Sequence, residues 1–161
     1  MRKGFTLVEL IIVVSILGIL AAIVLPEFQG HAAESKESAA KSTLHAIRSQ
    51  IELYKMQHNG LNPGYLSTIQ APATVFEYQF IGTSTIAGAA VASRSPSDPY
   101  LYGPYLSELP KNPFNDLRDI TIVSDFSTVD GSSGWLYQKE TGIIKLNTPG
   151  TDTKGVAYVD Y

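Results

Sequence analysis

An apolar run near the start of the chain constrains its fold more than any other feature of the sequence. Residues 10–25 contain no ionisable side chain, and when the run is extended back to Phe5, Glu9 is its one charged member. The extended run is about 20 residues long, which is enough for an α-helix to cross the apolar part of a bilayer. The sequence therefore predicts a membrane-spanning helix that contains a single carboxylate.

The charges beside this run predict its orientation. Arg2 and Lys3 precede it, and the next Lys or Arg along the chain is Lys36. Because basic residues favour the cytoplasmic side of a membrane, we expect a cytoplasmic N-terminus. The remainder of the chain then lies on the far side.

An ordinary secretory signal is the alternative interpretation of this segment. Such a signal also has a basic start and an apolar core, but a small-residue cleavage site follows the core. Ala21 and Ala22 imitate that site, yet the run continues through Pro26 into a second helical pattern with no loop between them. Cleavage at the alanines would expose the start of a long helix, so the sequence favours retention of the apolar segment.

The second helical pattern, which follows Pro26, is amphipathic. Its apolar face recurs at spacings of three and four residues, which is typical of a helix, and consists of Ala40, Leu44, Ile47, Ile51, Tyr54 and His58. Asn59 and Gly60 then offer a left-handed stop. We predict one helix from about Phe5 to His58, bent or locally melted at Pro26, because proline removes a backbone hydrogen bond.

The middle of the chain, residues 61–118, is rich in Pro and Gly pairs, which predict short elements joined by long loops. Within it, Thr74 to Ile81 alternates loosely and is interpreted as a strand. The small residues from Gly82 to Ser95 are interpreted as a surface excursion.

The last part of the chain, residues 119–161, predicts a β-sheet. Strand patterns cover residues 119–124, 135–139 and 143–147, and the last two form a hairpin with Glu140-Thr141-Gly142 as its turn. The expected fold class is therefore α+β, with the long N-terminal helix packed on a small antiparallel sheet.

The segment from Lys3 to Glu9, Lys-Gly-Phe-Thr-Leu-Val-Glu, resembles the type III signal of type IV pilins and pseudopilins. The resemblance implies cleavage between Gly4 and Phe5 by a prepilin peptidase, which is also the N-methyltransferase that modifies the new amino group of Phe5. Glu9 then matches the glutamate that the family keeps, and Pro26 its helix-kinking proline. The type IV pilin-like fold, an inner-membrane assembly platform and a helical filament of identical subunits are implied as well.

Glu9 has two interpretations. A carboxylate within a membrane span costs about 2 to 3 kcal/mol on insertion scales and needs a partner. Since Glu9 lies about one turn from Phe5, it can stay near the lipid headgroups as an interfacial residue. The resemblance favours a pair between Glu9 and the charged amine of Phe5 on an adjacent subunit, which would set the axial register of the filament.

A second and looser resemblance concerns the rest of the chain. Tyr105-Leu106, the run from Leu109 to Phe114, and the strands around Trp135 and Ile143 are similar to the head of major pseudopilins and related bacterial pilins. Together the two resemblances imply a leader at 1–4, a membrane-spanning and filament-core half-helix at 5–26, an amphipathic half-helix at 27–60 and a globular head at 61–161.

Few residues suggest a ligand site. Cysteine is absent, and His31, His45 and His58 lack a second ligand at metal-binding spacing, so we expect His58 on the apolar helix face and the others at subunit contacts or in solvent. The pseudopilin resemblance makes calcium a possible cofactor, but no EF-hand spacing surrounds the candidate aspartates. We expect no cofactor and solvated aspartates at Asp125, Asp130, Asp152 and Asp160.

The tyrosines and the net charge bear on whether the protein binds nucleic acid. Tyr100, Tyr102 and Tyr105 could form a stacking platform, but we favour the interpretation that they anchor a loop to the core. The formal net charge of −3 argues against nucleic acid as the main partner. No catalytic motif occurs, which predicts that the protein is not an enzyme.

Two functions remain. The first is a structural subunit of a type IV pilus or of a type II secretion pseudopilus. The second is a minor membrane-anchored pilin whose head binds a ligand such as DNA or a secreted substrate. Both imply a single-pass precursor in the lipid of the inner membrane, which then enters a periplasmic pseudopilus or an extracellular pilus.

Overall fold

The computed structural model describes the backbone of residues 5–161 and their side chains other than those at 25–30 and 73–74. It contains two compact units, one ending at Lys36 and the other spanning Glu37–Tyr161. The leader predicted at 1–4, with Gly4, lies outside the described residues, as does the side chain of Pro26. The domain boundaries inferred from the sequence stay predictions.

Helix α1 runs Leu7–Gln57 and confirms the long N-terminal helix. Its end is the predicted one: Asn59 and Gly60 have φ angles of 55° and 82°. The Gly60 N–H donates to the Lys55 carbonyl oxygen over 2.8 Å. A left-handed residue of this kind satisfies a carbonyl group that the helix end would otherwise leave without a partner.

The C-terminal half of α1 supplies one side of the core of the second unit. The six residues of the predicted apolar face are all buried, none of them more than 1% exposed. Four lie in the main core cluster, which they share with Phe76, Phe80 and residues of the sheet. The period of 3.6 residues therefore identified the buried face correctly.

A second helix, α2, covers Ala73–Ile81, where the sequence predicted a strand. The strand prediction was wrong. It was based on Phe76, Tyr78 and Phe80, which alternate in the sequence as they would along a strand. In the structure Phe76, Gln79 and Phe80 are buried, and Glu77 is exposed. Spacings of three and four residues are the helical pattern, and the buried Gln79 concealed it.

The segment after α2 is also more buried than predicted. Strand β3, Thr83–Ser84, pairs antiparallel with β4, Ala90–Val91. Thr83, Ser84 and Ala90 are buried, and the long exposed stretch after them is confined to residues 92–99. The surface excursion is thus limited to the second half of 82–95.

Before α2, β1 (Tyr65–Leu66) and β2 (Ile69–Gln70) form a further short antiparallel pair.

The three predicted C-terminal strands form one sheet in the order β5, β6, β7. They span Ile120–Ile122, Trp135–Gln138 and Ile143–Leu146. β6 and β7 make the predicted antiparallel hairpin, but β5 pairs with β6 in parallel. Parallel neighbours need a connection of about a dozen residues, and 123–134 supplies one. Residues 158–160 form the short 3₁₀ helix Tyr158–Asp160.

Two aromatic residues of β6 fix the sheet to the loops around it. Trp135 is fully buried, and its indole N–H donates to the Pro110 carbonyl oxygen over 2.9 Å. The hydroxyl of Tyr137, also fully buried, donates to the Pro63 carbonyl oxygen over 3.0 Å. Each ring buries a large apolar area while its polar atom keeps a partner, which is how buried Trp and Tyr are stabilised.

Residues 152–161 are fastened to α1 by side chains of the helix. Glu37 accepts hydrogen bonds from the backbone N–H and the hydroxyl of Thr153. Arg48 donates to the Tyr161 backbone oxygen over 2.6 Å and to the Ile144 carbonyl oxygen over 3.1 Å. The chain has no cysteine, so no disulfide can attach this segment. The hydrogen bonds to Glu37 and Arg48 hold it in place instead.

Asp152 belongs to the same contact and corrects one prediction. Its side chain is 2% exposed, not solvated, and one oxygen accepts from the Lys154 and Val156 N–H groups. The other oxygen accepts from the Tyr161 hydroxyl over 2.9 Å and lies 3.8 Å from the Lys41 ammonium. Burial alone raises the pKa of Asp152, but these hydrogen bonds and the Lys41 charge outweigh it and lower that pKa.

Candidate functional site

The N-terminal end of α1 carries a reciprocal capping contact between Thr6 and Glu9. The Glu9 N–H donates to the Thr6 hydroxyl oxygen over 3.2 Å. In return, the backbone N–H and the hydroxyl of Thr6 donate to Glu9 Oε2 over 2.8 and 2.7 Å. This is a capping box, which satisfies backbone donors that the first turn leaves without partners. It places the start of the helix at Leu7, directly after Phe5 and Thr6.

The same contact leaves half of the Glu9 carboxylate available. Among the described residues, every hydrogen bond to this side chain ends on Oε2, and Oε1 has no donor. Phe5 is 83% exposed and lies before the first helical residue. Glu9 can therefore cap its own helix and accept a second donor at the same time.

After the cap, α1 presents an apolar surface on all sides. Residues Leu7–Val24 have a mean hydropathy of 3.0, and none of the span is buried. The hydroxyl of Ser15 donates to the Ile11 carbonyl oxygen over 2.7 Å, so it needs no water. By length and composition this span is suited to cross a membrane, where every polar group must find its partner within the protein.

Comparison with known proteins identifies the segment. A family model described as the prokaryotic N-terminal methylation motif matches residues 1–25. The chain is 32% identical to the type IV major pilin protein PilE1 of Neisseria gonorrhoeae over 61% of its own length and 46% of the relative. It is 27% identical to the type II secretion system core protein G of Aeromonas hydrophila, over 80% of this chain and 79% of that one.

The first 25 residues carry the prokaryotic N-terminal methylation motif, and the chain is similar to type IV pilins and to a type II secretion core protein. A type IV major fimbrial protein FimA of Dichelobacter nodosus matches a shorter region, with 50% identity over 32% of this chain and 33% of the relative. The match thus spans less than half of the two pilins and most of the Aeromonas protein. No solved structure matches the chain.

The similarity to pilins agrees with the fold described above, which is α+β with a long N-terminal helix and small sheets. The relatives are a major pilin, a fimbrial protein and a type II secretion core protein, which are structural subunits and not enzymes. The motif model covers the complete segment from Gly4 to Glu9 and ends one residue before Pro26.

The structure brings together only part of the predicted assembly site. Glu9 is held by Thr6, a residue that the sequence interpretation missed. The signal was present, since Thr-x-x-Glu before an apolar run is the pattern of a capping box. Phe5 and Glu9 are both exposed at the helix start, whereas Gly4 and the side chain of Pro26 lie outside what is described.

The histidines form no metal site among the described residues. His58 is buried, as predicted, and its Nδ1 lies 2.8 Å from the Tyr54 carbonyl oxygen while Nε2 lies 3.0 Å from the Ser84 hydroxyl. His31 and His45 are exposed. Within the described residues, no three His, Asp or Glu side chains form a group that could hold a metal ion.

The remaining aspartates and tyrosines have local partners. Asp125 and Asp130 accept hydrogen bonds from the N–H and hydroxyl groups of Ser127 and Ser132, which order the loop before β6. These contacts lower the pKa of Asp130 to about 2. Tyr105 is buried against Tyr54 and donates to Gln57 Oε1 over 2.6 Å, which supports the loop-anchor interpretation.

Proposed function

We propose that this protein polymerises through its N-terminal helix into a type IV pilus or a type II secretion pseudopilus, after cleavage between Gly4 and Phe5. The observation that carries the proposal is the span Leu7–Val24, which is apolar on every side and leaves all of its side chains uncovered. A surface of this kind is compatible with lipid before assembly and with the helices of neighbouring subunits after it. Exchange between the two environments needs little net change in apolar exposure.

The start of the helix supports processing at the proposed position. α1 begins at Leu7, so Phe5 and Thr6 are not helical and can be extended in a peptidase site. The capping box between Thr6 and Glu9 then lies on the mature side of the cut, so the processed subunit keeps it. Prepilin peptidase would release the leader and methylate the amino group of Phe5.

Glu9 would provide the register of the filament. Cleavage creates a charged amine on Phe5, and Oε1 of Glu9 on a neighbouring subunit would accept from it. An unpaired carboxylate in an apolar filament core is unfavourable, so a subunit displaced along the axis would lose the pair and pay about 2 to 3 kcal/mol. Because Oε2 keeps its bonds to Thr6, this pairing would not require the helix start to unfold.

The membrane arrangement follows from the same segment. Arg2 and Lys3 would hold the precursor's N-terminus on the cytoplasmic side of the inner membrane, with the second unit on the opposite side. An assembly platform in that membrane would then receive the processed subunit. Pro26 would weaken the helix by removing one backbone hydrogen bond, which lets the helix adjust as it leaves the lipid.

Three substitutions in the native host separate charge from capping. Glu9→Ala removes both, Glu9→Gln keeps an acceptor for Thr6 but loses the charge, and Thr6→Ala loses the cap but keeps the charge. We expect both Glu9 variants to reduce filament yield about tenfold or more while the precursor is still cleaved. Thr6→Ala should assemble at close to the normal level. Normal assembly of Glu9→Gln would show that the charge pair is wrong.

The processing step and the kind of filament have their own readouts. Mass spectrometry of the mature subunit should find an N-terminal Phe5 carrying one methyl group. Replacement of Gly4 by a bulky residue should leave the uncut precursor in the membrane. Shearing of intact cells should release filaments of this subunit if it forms a surface pilus, and should not do so if it forms a pseudopilus.

A further inference from the structure

Strand β5 is the edge of its sheet, and its outer side has no partner among the described residues. β6 lies on one side of β5, and no strand pairs with the other. On the β6 side, the Asp119 carbonyl oxygen accepts from the Trp135 N–H, and the Val123 N–H donates to the Tyr137 carbonyl oxygen. Because alternate residues of a strand point their peptide groups to opposite sides, those of Ile120 and Ile122 face outward.

A groove runs beside this open edge. It has a volume of about 670 Å³ and lies between α2, the loop at Leu109 and β5. Its apolar lining consists of Phe76, Ile81, Leu109, Ile120 and Ile122. Of these, Ile122 is 38% exposed, so the groove is accessible. A strand added to the edge of β5 would place alternate side chains against this lining.

The charges of the groove define what such a strand would carry. Four charged residues line it, three acidic and one basic. The basic one, Arg118, is already used: it lies 2.8 Å from the Glu108 carboxylate and donates to the Leu109 carbonyl oxygen. The carboxylates of Glu77 and Asp119 have no hydrogen bond or ion pair within the described residues. Two negative charges therefore remain for an occupant to match.

We propose that this groove binds an extended segment of a partner protein in which apolar residues alternate with Lys or Arg. The segment would add a strand to β5, exchanging backbone hydrogen bonds with Ile120 and Ile122. Its apolar side chains would enter the groove, and its cations, on the opposite face of the added strand, would lie beside Asp119 and be attracted by Glu77 across the edge of the groove. Since β5 contains only Ile120–Ile122, the ladder is short and the side chains would supply most of the specificity.

The probe that tests this proposal is a fluorescent peptide that alternates valine and lysine over eight residues. It is added to the full-length protein in detergent micelles, and binding is followed by fluorescence anisotropy. Two control peptides are matched in composition. One groups the valines and lysines into separate blocks, and the other carries N-methyl groups on alternate amides, which prevents strand pairing but keeps the charge.

We expect the alternating peptide to bind, and both control peptides to bind about tenfold more weakly or not at all. Glu77→Lys and Asp119→Lys should each weaken binding about tenfold. Glu140→Lys, which reverses an exposed carboxylate that does not line the groove, should leave binding unchanged. In ¹⁵N spectra the amides of Ile120 and Ile122 should shift most, and the fluorescence of the single tryptophan, Trp135, should show that each variant is folded.

Several outcomes would overturn the proposal. Equal binding of the N-methylated peptide would exclude strand addition, and equal binding to Glu77→Lys would exclude the charge match. Concentration-dependent self-association that is lost in Asp119→Lys, without any peptide binding, would assign the groove to a second copy of this chain. None of these results depends on filament assembly, so a failure here is separate from a failure of the proposed function.

Discussion

His58 stacks face to face on Tyr54, the residue one helical turn before it, with ring centroids 3.7 Å apart and planes within 5° of each other. Tyr102 and Tyr105 close the other sides of the imidazole. Burial lowers the pKa of His58, although hydrogen bonds to the backbone act in the opposite direction. No charged side chain takes part in these ring contacts, so a protonated His58 would lack a counter-ion there.

This arrangement makes the stability of the second unit depend on pH in the mildly acidic range. In the folded state burial lowers the pKa of His58, whereas in the unfolded chain that pKa is close to the usual value of about 6.5. As the pH falls below about 6.5, the unfolded state takes up a proton that the folded state does not, so stability falls by up to about 1.4 kcal/mol per pH unit until the folded pKa is reached. Denaturant unfolding followed by Trp135 fluorescence between pH 7.5 and 4.5 measures this slope.

His58→Gln should remove most of that slope, because glutamine does not titrate. His45→Gln, at an exposed position on the same helix, should keep it. A slope that persists unchanged in His58→Gln would assign the pH dependence to another group.

Asp152 should contribute to stability at neutral pH and lose that contribution in acid. We expect Asp152→Asn to lower the free energy of unfolding by about 2 to 3 kcal/mol, because a charged acceptor of several hydrogen bonds is lost from a buried site. Since the folded-state pKa of Asp152 is lowered, its contribution is present above the ordinary aspartate value of about 3.9 and is lost as the pH falls through the folded pKa.

Urea unfolding at pH 7 and at pH 3 checks both parts of this prediction. The difference between wild type and Asp152→Asn should be smaller at the lower pH. Asp160→Asn is the matched control, since Asp160 is exposed and lies 3.6 Å from Lys145. An equal loss of stability in the two variants would contradict the role given to Asp152.

Gly82 is required for close packing and not for a special backbone angle. Its φ is −118°, which other residues adopt freely, but a Cβ there would lie 2.0 Å from the Val91 carbonyl oxygen. Gly82→Ala should separate β3 from β4 and cost about 3 kcal/mol or more. Gly60→Ala meets nothing within 4 Å and has a φ of 82°, so it should cost only about 1 kcal/mol. Thermal unfolding of the two variants compares them, and equal costs would contradict the packing argument.

Phe80 and Tyr78 distinguish the two assignments of α2. A strand would point Phe76, Tyr78 and Phe80 to one face, whereas the helix buries Phe76 and Phe80 and leaves Tyr78 partly exposed. Phe80→Ala should therefore cost about 3 to 5 kcal/mol, and Tyr78→Ala clearly less. Similar losses from both substitutions, measured by urea unfolding, would favour the strand.

The sequence predicted those elements in which one periodic signal extends over many residues. The buried face of α1 and the hairpin of β6 and β7 follow from repeats of 3.6 and 2.0 residues. The strand assigned at Thr74 to Ile81 failed because the nine-residue helix Ala73–Ile81 contains too few repeats of the helical period, and a buried glutamine interrupts them. The parallel pairing of β5 depends on the path of residues 123–134, which has no pattern of hydrophobic residues to read.

For the assembly segment, the residues around Gly4 and Phe5 identified the family, but the local contacts were missed. Glu9 was interpreted as an interfacial residue or as a partner of the amine that cleavage creates, and neither interpretation used Thr6, which is three residues away and satisfies the capping pattern. Asp152 was interpreted as a solvated loop aspartate because the sequence does not show that Lys41 and Tyr161 lie beside it. The contacts of Asp152 with these two residues depend on tertiary structure and leave no local signal.

The attachment of residues 152–161 to α1 has a mechanical consequence. Glu37, Lys41 and Arg48 hold this segment at points spread over about 16 Å of helix. A tension applied along the helix axis would load these contacts together in shear, where resistance adds up, instead of peeling them apart one at a time. The second unit is thus built to carry tensile load along α1 without a covalent cross-link.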